Sequence, residues 1–198
     1  MNEIELGKRF AGGGELELEE VIHLYGEKLL RYATSILCDH HDAEDVVQRV
    51  FLLAYQNRGG FDGEHLSAWL YRITYNHCLN QRKKRRILFF SDVDNVREET
   101  VNPFEDTAIS DDFLKALNRL DIEDRALLYG RIMNEQSYEE LSQVIGKSVP
   151  ALRKQYERMK KKLIGYLRDE QGFLEKEDRE EKVFLERGHK NEYKFGQV

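Results

Sequence analysis

The sequence predicts an all-α protein made of two small helical domains joined by a flexible linker, the C-terminal one a helix-turn-helix. Apolar residues recur every three or four positions over long stretches, which is the spacing of one face of a helix. Only two prolines occur, and this scarcity favours helices over a turn-rich β fold. Between residues 91 and 109 the periodicity is lost and the composition turns acidic, so this segment is predicted to be the linker.

The composition excludes several classes of protein. Hydrophobic residues make up 40% of the chain and charged residues 34%, enough for cores, but small ones. No apolar run is long enough to span a bilayer, and the N-terminus lacks the basic-then-apolar pattern of a secretory signal. The two cysteines are too few for a disulfide framework. We therefore expect a cytoplasmic protein with reduced thiols.

The distribution of charge is more informative than its sum. The net charge of −6 would, taken whole, oppose nucleic-acid binding. Basic residues nevertheless concentrate at 82–86 and at 147–168, and the acidic stretch 92–112 lies between them. Two basic segments separated by an acidic one predict two separate contacts with a polyanion.

The N-terminal half contains three predicted elements after an arm. Residues 1–17 are expected to form the arm, with three consecutive glycines at 12–14 that indicate a loose backbone. Residues 16–37 then have helical periodicity and form either one helix or two, with a bend near Gly26. Asp42 is predicted to cap the next helix, which extends to about residue 56.

A loop and a long helix complete this half. Residues 57–64 contain two consecutive glycines and a Phe61-Asp62-Gly63 sequence, which predict a loop. Ser67 is the expected cap of a helix that ends near residue 86, in the first basic cluster.

The second half has the pattern of a helix-turn-helix. Helices are predicted around Phe113–Leu120 and around 126–132. Ser137 and Glu140 have the spacing of a capping box, and Gly146 suits the left-handed position at the end of a short helix. Ser148 is the expected cap of the long helix that follows. A short capped helix, a glycine turn and a longer helix are typical of this DNA-binding motif.

The outer face of the long helix carries groups that suit DNA. Arginine and glutamine can pair with base edges, and lysines with phosphates. The positions expected to face outward are Arg153, Lys154, Gln155, Glu157, Arg158, Lys160, Lys161 and Lys162. The alternative is an ordinary solvated basic helix.

Aromatic and amide side chains precede the first basic cluster. Phe61 lies in the loop, and Tyr71, Tyr75, Asn76 and Asn80 lie on the helix that runs into residues 82–86. Stacking groups beside a basic segment suit single-stranded or melted DNA. Trp69 falls on the apolar stripe of this helix, so for it a place in the core is favoured.

Three motifs resemble parts of bacterial sigma factors. Residues 41–48 with Val50-Phe51 resemble their core-binding helix. Residues 61–63 with 68–73 and Asn76 resemble the promoter-melting segment of the extracytoplasmic-function (ECF) group, and residues 120–153 contain motifs that resemble its C-terminal helix-turn-helix. Because the motifs follow one another in the family's order over residues 18–168, the chain is similar to ECF-group sigma factors of the housekeeping-sigma superfamily.

The resemblance implies a division of labour. Residues 18–90 would form a region 2-like domain, 91–109 the linker, 110–168 a region 4-like domain and 169–198 a charged extension. Core RNA polymerase would be bound by Asp45, Gln48, Arg49 and Leu52. The −10 element would be bound by Phe61, Asp62, Arg72, Tyr75, Asn76, Asn80, Arg82, Lys83, Arg85 and Arg86. The −35 element would be bound by Lys147, Ser148, Arg153, Lys154, Glu157, Arg158 and Lys161.

The resemblance also sets expectations for partners and chemistry. The partners would be core RNA polymerase and promoter DNA, and an anti-sigma factor is a third that it suggests. It implies a transcription initiation factor, neither an enzyme nor a cofactor-binding protein, and no catalytic motif is visible in the sequence. Two alternatives stay open: a stand-alone helix-turn-helix regulator, and a sigma-like protein that binds polymerase without melting promoters.

Some residues depart from the family's pattern. Arg49 stands where the family usually has an acidic residue, and Gln155 where arginine is common. Pro150 and Ala151 replace more usual polar or glycine-like residues at the start of the recognition helix. The changes at positions 150, 151 and 155 are expected to alter promoter choice, and Arg49 adds a positive charge where the family's polymerase surface is itself basic.

Two features are not explained by the family pattern. The extension after residue 168 is either a solvated, charge-rich tail or a regulatory segment whose acidic residues cover the basic faces. Cys38, His40, His41, His77 and Cys78 do not have the spacing of a closed zinc site. Two buried or half-buried thiols are the better prediction for the cysteines.

Overall fold

The computed structural model describes residues 3–88 and 111–169, and both stretches are helical. We call residues 3–88 the first helical unit and residues 111–169 the second. The first contains α1 (Glu3–Gly12), α2 (Glu15–Leu37), α3 (His40–Asn57) and α4 (Leu66–Leu88). The second contains α5 (Asp111–Asn118), α6 (Ile122–Ile132), α7 (Tyr138–Ile145) and α8 (149–169). The predicted all-α, two-unit fold is confirmed.

The start of the chain is a helix, so the expectation of a loose arm is wrong. Leu6 and Phe10 lie one turn apart on α1, and both are buried in the core of the first unit. Gly7, on the same helix, packs directly against the backbone of Gly63 in the loop before α4. The glycine run follows this helix, and α1 is too short to have shown a clear period.

α2 is a single helix that continues through Gly26 without interruption. It ends at Cys38, whose backbone is left-handed at φ 56°. The next helix is capped by Asp39 and not by Asp42: the Asp39 carboxylate accepts a hydrogen bond from the Asp42 backbone N–H at 2.9 Å. α3 therefore begins about one turn earlier than predicted, because two adjacent aspartates offered the same capping chemistry.

α3 buries one apolar stripe, with residues recurring every three or four positions: Ala43, Val46, Val47, Val50, Phe51 and Ala54. α4 begins at Leu66, so Ser67 lies inside the helix rather than at its cap. The backbone N–H of Ser67 instead donates to the Glu3 carboxylate at 2.8 Å, which ties the start of α4 to α1.

The predicted ends of α7 are confirmed. The Ser137 hydroxyl accepts from the Glu140 N–H at 3.2 Å, and the Ser137 N–H donates to the Glu140 carboxylate at 2.6 Å. Gly146 ends the helix in the left-handed region at φ 77°. Residues 146–148 then connect α7 to α8, which completes the helix-turn-helix.

The two units pack against each other, α2 against α6 and α4 against α7. Tyr32 of α2 and Tyr129 of α6 are both buried, with ring centroids 5.8 Å apart. The predicted linker 91–109 lies outside the described residues. Within the described residues, no helix has the length and apolar character needed to cross a membrane.

Candidate nucleic-acid interface

The outer face of α3 presents the four residues expected to bind polymerase. Asp45, Gln48, Arg49 and Leu52 are all exposed, at helical spacings of one, three and four. Leu52 is 46% exposed, so an apolar side chain lies among these polar groups. An apolar side chain among polar neighbours is the pattern of a protein-binding surface.

Positive charge continues from this face to α4. His77 of α4 is half-buried, and burial lowers its pKa, as do the positive charges of Arg49 and Lys84. Arg49 therefore lies close enough to α4 to act on its electrostatics. Arg49 therefore places a positive charge between the exposed face of α3 and the basic end of α4.

A row of polar side chains follows the exposed side of α4. Arg72, Asn76 and Asn80 are exposed and recur every four residues, so they share one face of the helix. Arg82 and Lys83 are exposed one turn further along, and Asp62 is exposed in the preceding loop. The amide side chains suit hydrogen bonds to DNA bases, and the cations that follow them along the helix suit the phosphate backbone.

Two of the predicted DNA contacts are buried in this arrangement. Phe61 is 9% exposed and stacks on Trp69, with ring centroids 4.6 Å apart and planes 17° from parallel. Tyr75 is 3% exposed, and burial, together with the negative charge of Glu123 in the second unit, raises its pKa. Neither ring can stack on a base without a rearrangement. Arg85 and Arg86 lie on α4, but their side chains are outside the described residues.

α8 presents most of the predicted −35 residues to solvent. Ser148, Arg153, Lys154, Glu157, Arg158 and Lys161 are exposed. The Arg153 guanidinium lies 5.2 Å from the ring centre of Tyr138 on α7, a cation–π contact that orients it across the two helices of the motif. Glu157 pairs with Lys160 at 2.7 Å.

Gln155 does not face outward as predicted. It is 7% exposed, and its amide donates to the Asp124 carboxylate at 2.8 Å while accepting from the Lys147 ammonium at 3.0 Å. Leu152 and Met159, three residues before and four after it, are fully buried. This spacing puts Gln155 on the inner stripe of α8, and the sequence contained that signal.

Lys147 and Lys162 are also engaged within the second unit. Lys147 forms an ion pair with Glu123. Lys162 bridges Asp121 and Asp124 at 3.1 Å each, and its pKa is raised by these hydrogen bonds. Three acidic residues at the N-terminus of α6 therefore bind Lys147 in the turn before α8 and Lys162 on α8 itself.

A cleft of about 820 Å³ separates the basic end of α4 from α8. Its walls are formed by Leu79, Arg82, Lys83, Asp121, Ile122, Glu123, Asp124, Lys147, Gln155, Arg158 and Lys162. Five of these side chains are cationic and three are acidic, so the cleft carries an excess of positive charge. The two basic segments of the sequence therefore face each other across one opening.

The contact between the units was not visible in the sequence. Arg125 of α6 is 1% exposed, and its guanidinium donates to the Cys38 sulfur at 2.5 Å. Tyr71 of α4 is also buried, and its pKa is raised by burial and by the nearby Tyr129 of the second unit. No local pattern links residues so far apart in the chain.

Both cysteines are free and buried, which confirms the prediction of buried thiols. Burial raises the pKa of the Cys78 thiol, so it stays protonated near neutral pH. In the described ranges 3–88 and 111–169, no three side chains of the metal-binding types come together.

Comparison with known proteins gives a consistent family. Residues 21–87 match the family model of sigma-70 region 2. ECF RNA polymerase sigma factor SigE of Mycolicibacterium smegmatis is 28% identical over 75% of this chain, which spans 61% of that relative. RNA polymerase sigma factor NccH of Alcaligenes xylosoxydans xylosoxydans is 25% identical over 84% of the chain and 95% of its own length. SigW of Bacillus subtilis is 23% identical, with 82% and 95% covered.

Two solved structures share the fold. One is the sigma factor RpoE in complex with the anti-sigma factor NepR from Bartonella quintana, 27% identical, with a TM-score of 0.66 over 76% of this chain and 96% of that one. The other is CnrH in complex with the cytosolic domain of CnrY, with a TM-score of 0.64 over 84% and 97% of the two chains. Its 23% identity supports the likeness of fold alone.

Proposed function

We infer that this chain, a member of the ECF group of sigma factors, binds core RNA polymerase and directs promoter recognition, promoter melting and transcription initiation. The observation that carries this function is the match of residues 21–87 to sigma-70 region 2. The matched segment contains both the exposed polar face of α3 and the amide row of α4. A helix-turn-helix with an exposed basic face supplies a second DNA contact.

We propose that the chain is divided as the resemblance implies. Residues 18–90 form the region 2-like domain, 91–109 the linker, 110–168 the region 4-like domain, and 169–198 an extension. The packing of α1 against the loop before α4 supports adding the N-terminal helix to the first domain.

Core polymerase binding is assigned to the outer face of α3. Asp45, Gln48 and Leu52 combine a charge, an amide and an exposed apolar group in one patch. Binding of such a patch to a partner buries the exposed 46% of Leu52, which contributes roughly half of the about 1.5–3 kcal/mol that a fully exposed leucine would give. Arg49 adds a cation to this surface and sets it apart from the usual family pattern.

Melted −10 DNA is assigned to the exposed side of α4 and the preceding loop. Asp62, Arg72, Asn76 and Asn80 are available for base edges, and Arg82 and Lys83 for phosphates. We propose that Phe61 and Tyr75 join this surface only after the units separate or the loop moves, because both rings are buried here.

Recognition of the −35 element is assigned to Arg153, Lys154, Glu157, Arg158 and Lys161, with Ser148 at the N-terminus of α8. Backbone amides at a helix N-terminus favour a phosphate, and arginines reach base edges in the major groove. Gln155 is not part of this surface, because it bonds to Asp124 and Lys147 inside the second unit.

Use of both promoter elements requires the two units to separate. The centres of the −10 and −35 elements are about 25 base pairs apart, which is roughly 85 Å along a duplex. The units contact each other directly, at Tyr32 with Tyr129 and at Cys38 with Arg125. We therefore assign this arrangement to the protein free of polymerase, and an extended arrangement to the initiation complex.

An anti-sigma factor is a further partner that we propose. The likeness to the sigma factor RpoE, whose structure is a complex with the anti-sigma factor NepR, supports this class of partner.

Transcription with purified core polymerase tests the function. The chain should direct run-off transcripts from a promoter mapped by transcript start sites, and the polymerase holoenzyme should shift that promoter in a gel while the free chain shifts it poorly. Strong specific binding by the free chain would favour the stand-alone regulator. Core binding without any transcript would favour the sigma-like protein that does not melt promoters.

A further inference from the structure

The cleft between α4 and α8 contains cations that the second unit does not neutralise. Of its five cations, Lys147 and Lys162 pair with Glu123, Asp121 and Asp124. Arg82, Lys83 and Arg158 are exposed, and within residues 3–88 and 111–169 they make no ion pair. Three unneutralised positive charges around one opening attract an anionic ligand.

The cleft also offers apolar surface between these charges. Leu79 of α4 and Ile122 of α6 line it, and each is only partly buried. A suitable ligand therefore combines one or two apolar side chains with several carboxylates. Free phosphate or duplex DNA matches the charges but leaves the apolar wall uncovered.

The chain itself contains a segment with this pattern. After residue 169 the sequence continues with Phe173-Leu174, followed by a run rich in acids: Glu175, Glu177, Asp178, Glu180 and Glu181. Only Lys176 and Arg179 interrupt this run. An apolar pair followed by acids is complementary to the apolar wall and the cationic rim of the cleft.

The start of this segment is held close to the cleft. Asp169, at the end of α8, lies 3.4 Å from the guanidinium of Arg119, two residues before the cleft residue Asp121. Lys162, which lines the cleft, is seven residues earlier on α8, a rise of about 10 Å. A four-residue turn after Asp169 would leave Phe173 within about 7 Å of the residue next to Asp169 and hence close to Arg119, which is three residues before the cleft residue Ile122.

We propose that the acidic segment 170–181 folds back into this cleft, with Phe173 and Leu174 against Leu79 and Ile122. Its carboxylates then face Arg82, Lys83 and Arg158. The docked segment bridges α4 and α8, so it holds the two units together. It also covers cations of the DNA-binding surfaces proposed on α4 and α8. The segment therefore competes with DNA for these cations.

Crosslinking of the full-length chain tests the docking directly. A photoreactive phenylalanine analogue in place of Leu79 should crosslink to a peptide within 170–181, identified by mass spectrometry. A mixture of isotope-labelled and unlabelled chains should give crosslinks within one chain. Crosslinks to 182–198, to a second copy, or to no part of the extension would overturn the proposal. This readout involves neither polymerase nor promoter, so it can fail or succeed independently of the proposed function.

DNA affinity tests the competition. We expect a chain ending at Asp169 to bind a fluorescent duplex of random sequence about tenfold more tightly at low salt, since the freed cations become available for phosphates. The full-length variant E175Q/E177Q/D178N/E180Q/E181Q should show the same gain, which separates charge from truncation. A peptide of residues 170–181 added to the shortened chain should reverse it.

A chain ending at Glu181 is the matched control, because it removes 182–198 and keeps the proposed ligand. Its DNA affinity should equal that of the full-length chain. An equal gain in both truncated chains would assign the effect to 182–198, and unchanged affinity in the shortened and neutralised chains would exclude competition. Either result would overturn the proposal.

Discussion

Arg125 of α6 donates a hydrogen bond to the sulfur of Cys38 at the end of α2, across 2.5 Å and between two halves of the chain that the sequence keeps far apart. Arg125 is almost completely buried. Nearby, Tyr32 is buried against Tyr71 and Tyr129. The hydroxyl of Tyr32 is buried without a hydrogen-bond partner among the described residues. A buried, unsatisfied hydroxyl costs about 1–3 kcal/mol, so the Tyr32 hydroxyl lowers the stability of this interface.

Removal of the Arg125 side chain should weaken the contact between the units. We expect Arg125→Ala to cost about 1–3 kcal/mol of interface stability, because it leaves a buried cavity and removes the bond to Cys38. Amide hydrogen exchange at the end of α2 and along α6 should become faster, and the radius of gyration should rise. Arg119→Ala is the control, since its pair with Asp169 is exposed and contributes little. Equal exchange in both variants would contradict the assignment.

A methyl group at Gly7 should destabilise the first unit. A Cβ at this position would lie closer to the Gly63 carbonyl oxygen than van der Waals contact allows, and this backbone oxygen cannot rotate away. We expect Gly7→Ala to lower the free energy of unfolding in urea by about 1–3 kcal/mol. Gly12→Ala is the matched control on the same helix, where nothing lies within 4 Å of the added Cβ, and it should cause no loss.

Stability should depend on the protonation of His77. Its pKa in the folded chain is lowered by burial and by Arg49 and Lys84, below the value of about 6.5 for an unperturbed histidine. As the pH falls, the unfolded chain therefore binds the proton first. The contribution to stability is complete above about pH 6.5 and is lost as the pH falls through the folded-state pKa. Thermal unfolding between pH 7.5 and 5 should show this loss, and His77→Gln should reduce it. The same slope in both chains would exclude His77 as its source.

Replacement of the exposed arginines of α8 should remove its contacts with DNA bases. Arg153→Ala and Arg158→Ala are each expected to cost about 1–3 kcal/mol in transcription that depends on the −35 element. Lys160→Ala is a control on the same helix, because its ammonium pairs with Glu157. Transcription from a promoter with an altered −35 element should be less sensitive to the arginine changes. Full activity in the double variant would show that the recognition face lies elsewhere.

Binding of core polymerase should depend on the outer face of α3. The double variant Asp45→Ala/Gln48→Ala is expected to co-purify poorly with core polymerase while it keeps its helical circular dichroism, because both side chains are exposed. The affinity should fall by at least about tenfold, which corresponds to 1.4 kcal/mol. Glu19→Ala, on the exposed side of α2, is the control. A normal yield of complex from the double variant would refute the assignment.

Local chemistry made several elements predictable from the sequence. The capping box at Ser137 and Glu140 and the left-handed glycine at 146 are determined within four residues, so neighbouring residues suffice to define them. The stripe of α3 extends over several turns and needs no knowledge of its partner. The cap of α3 was predicted wrongly, because Asp39 and Asp42 satisfy the same local rule.

Other wrong or incomplete predictions concern positions whose surroundings include distant residues. α1 is a helix because Leu6 and Phe10 find a core made by α2 and α4, and ten residues alone would be marginal. The spacing of Gln155 from Leu152 and Met159 already indicated the inner stripe of α8, and Asp124 and Lys147 supply the hydrogen bonds that its buried amide makes. Phe61 is buried against Trp69, and Tyr75 is buried close enough to the second unit for Glu123 to raise its pKa.

The sequence by itself determined the helical class, the order of the motifs and the faces of α3, α4 and α8 that carry polar groups, since periodicity and capping act over a few residues. The tertiary structure alone decided that the two units meet at Cys38 and Arg125 and that both basic segments border one cleft. Such contacts depend on shape and burial between residues far apart in the chain, and no local rule encodes them.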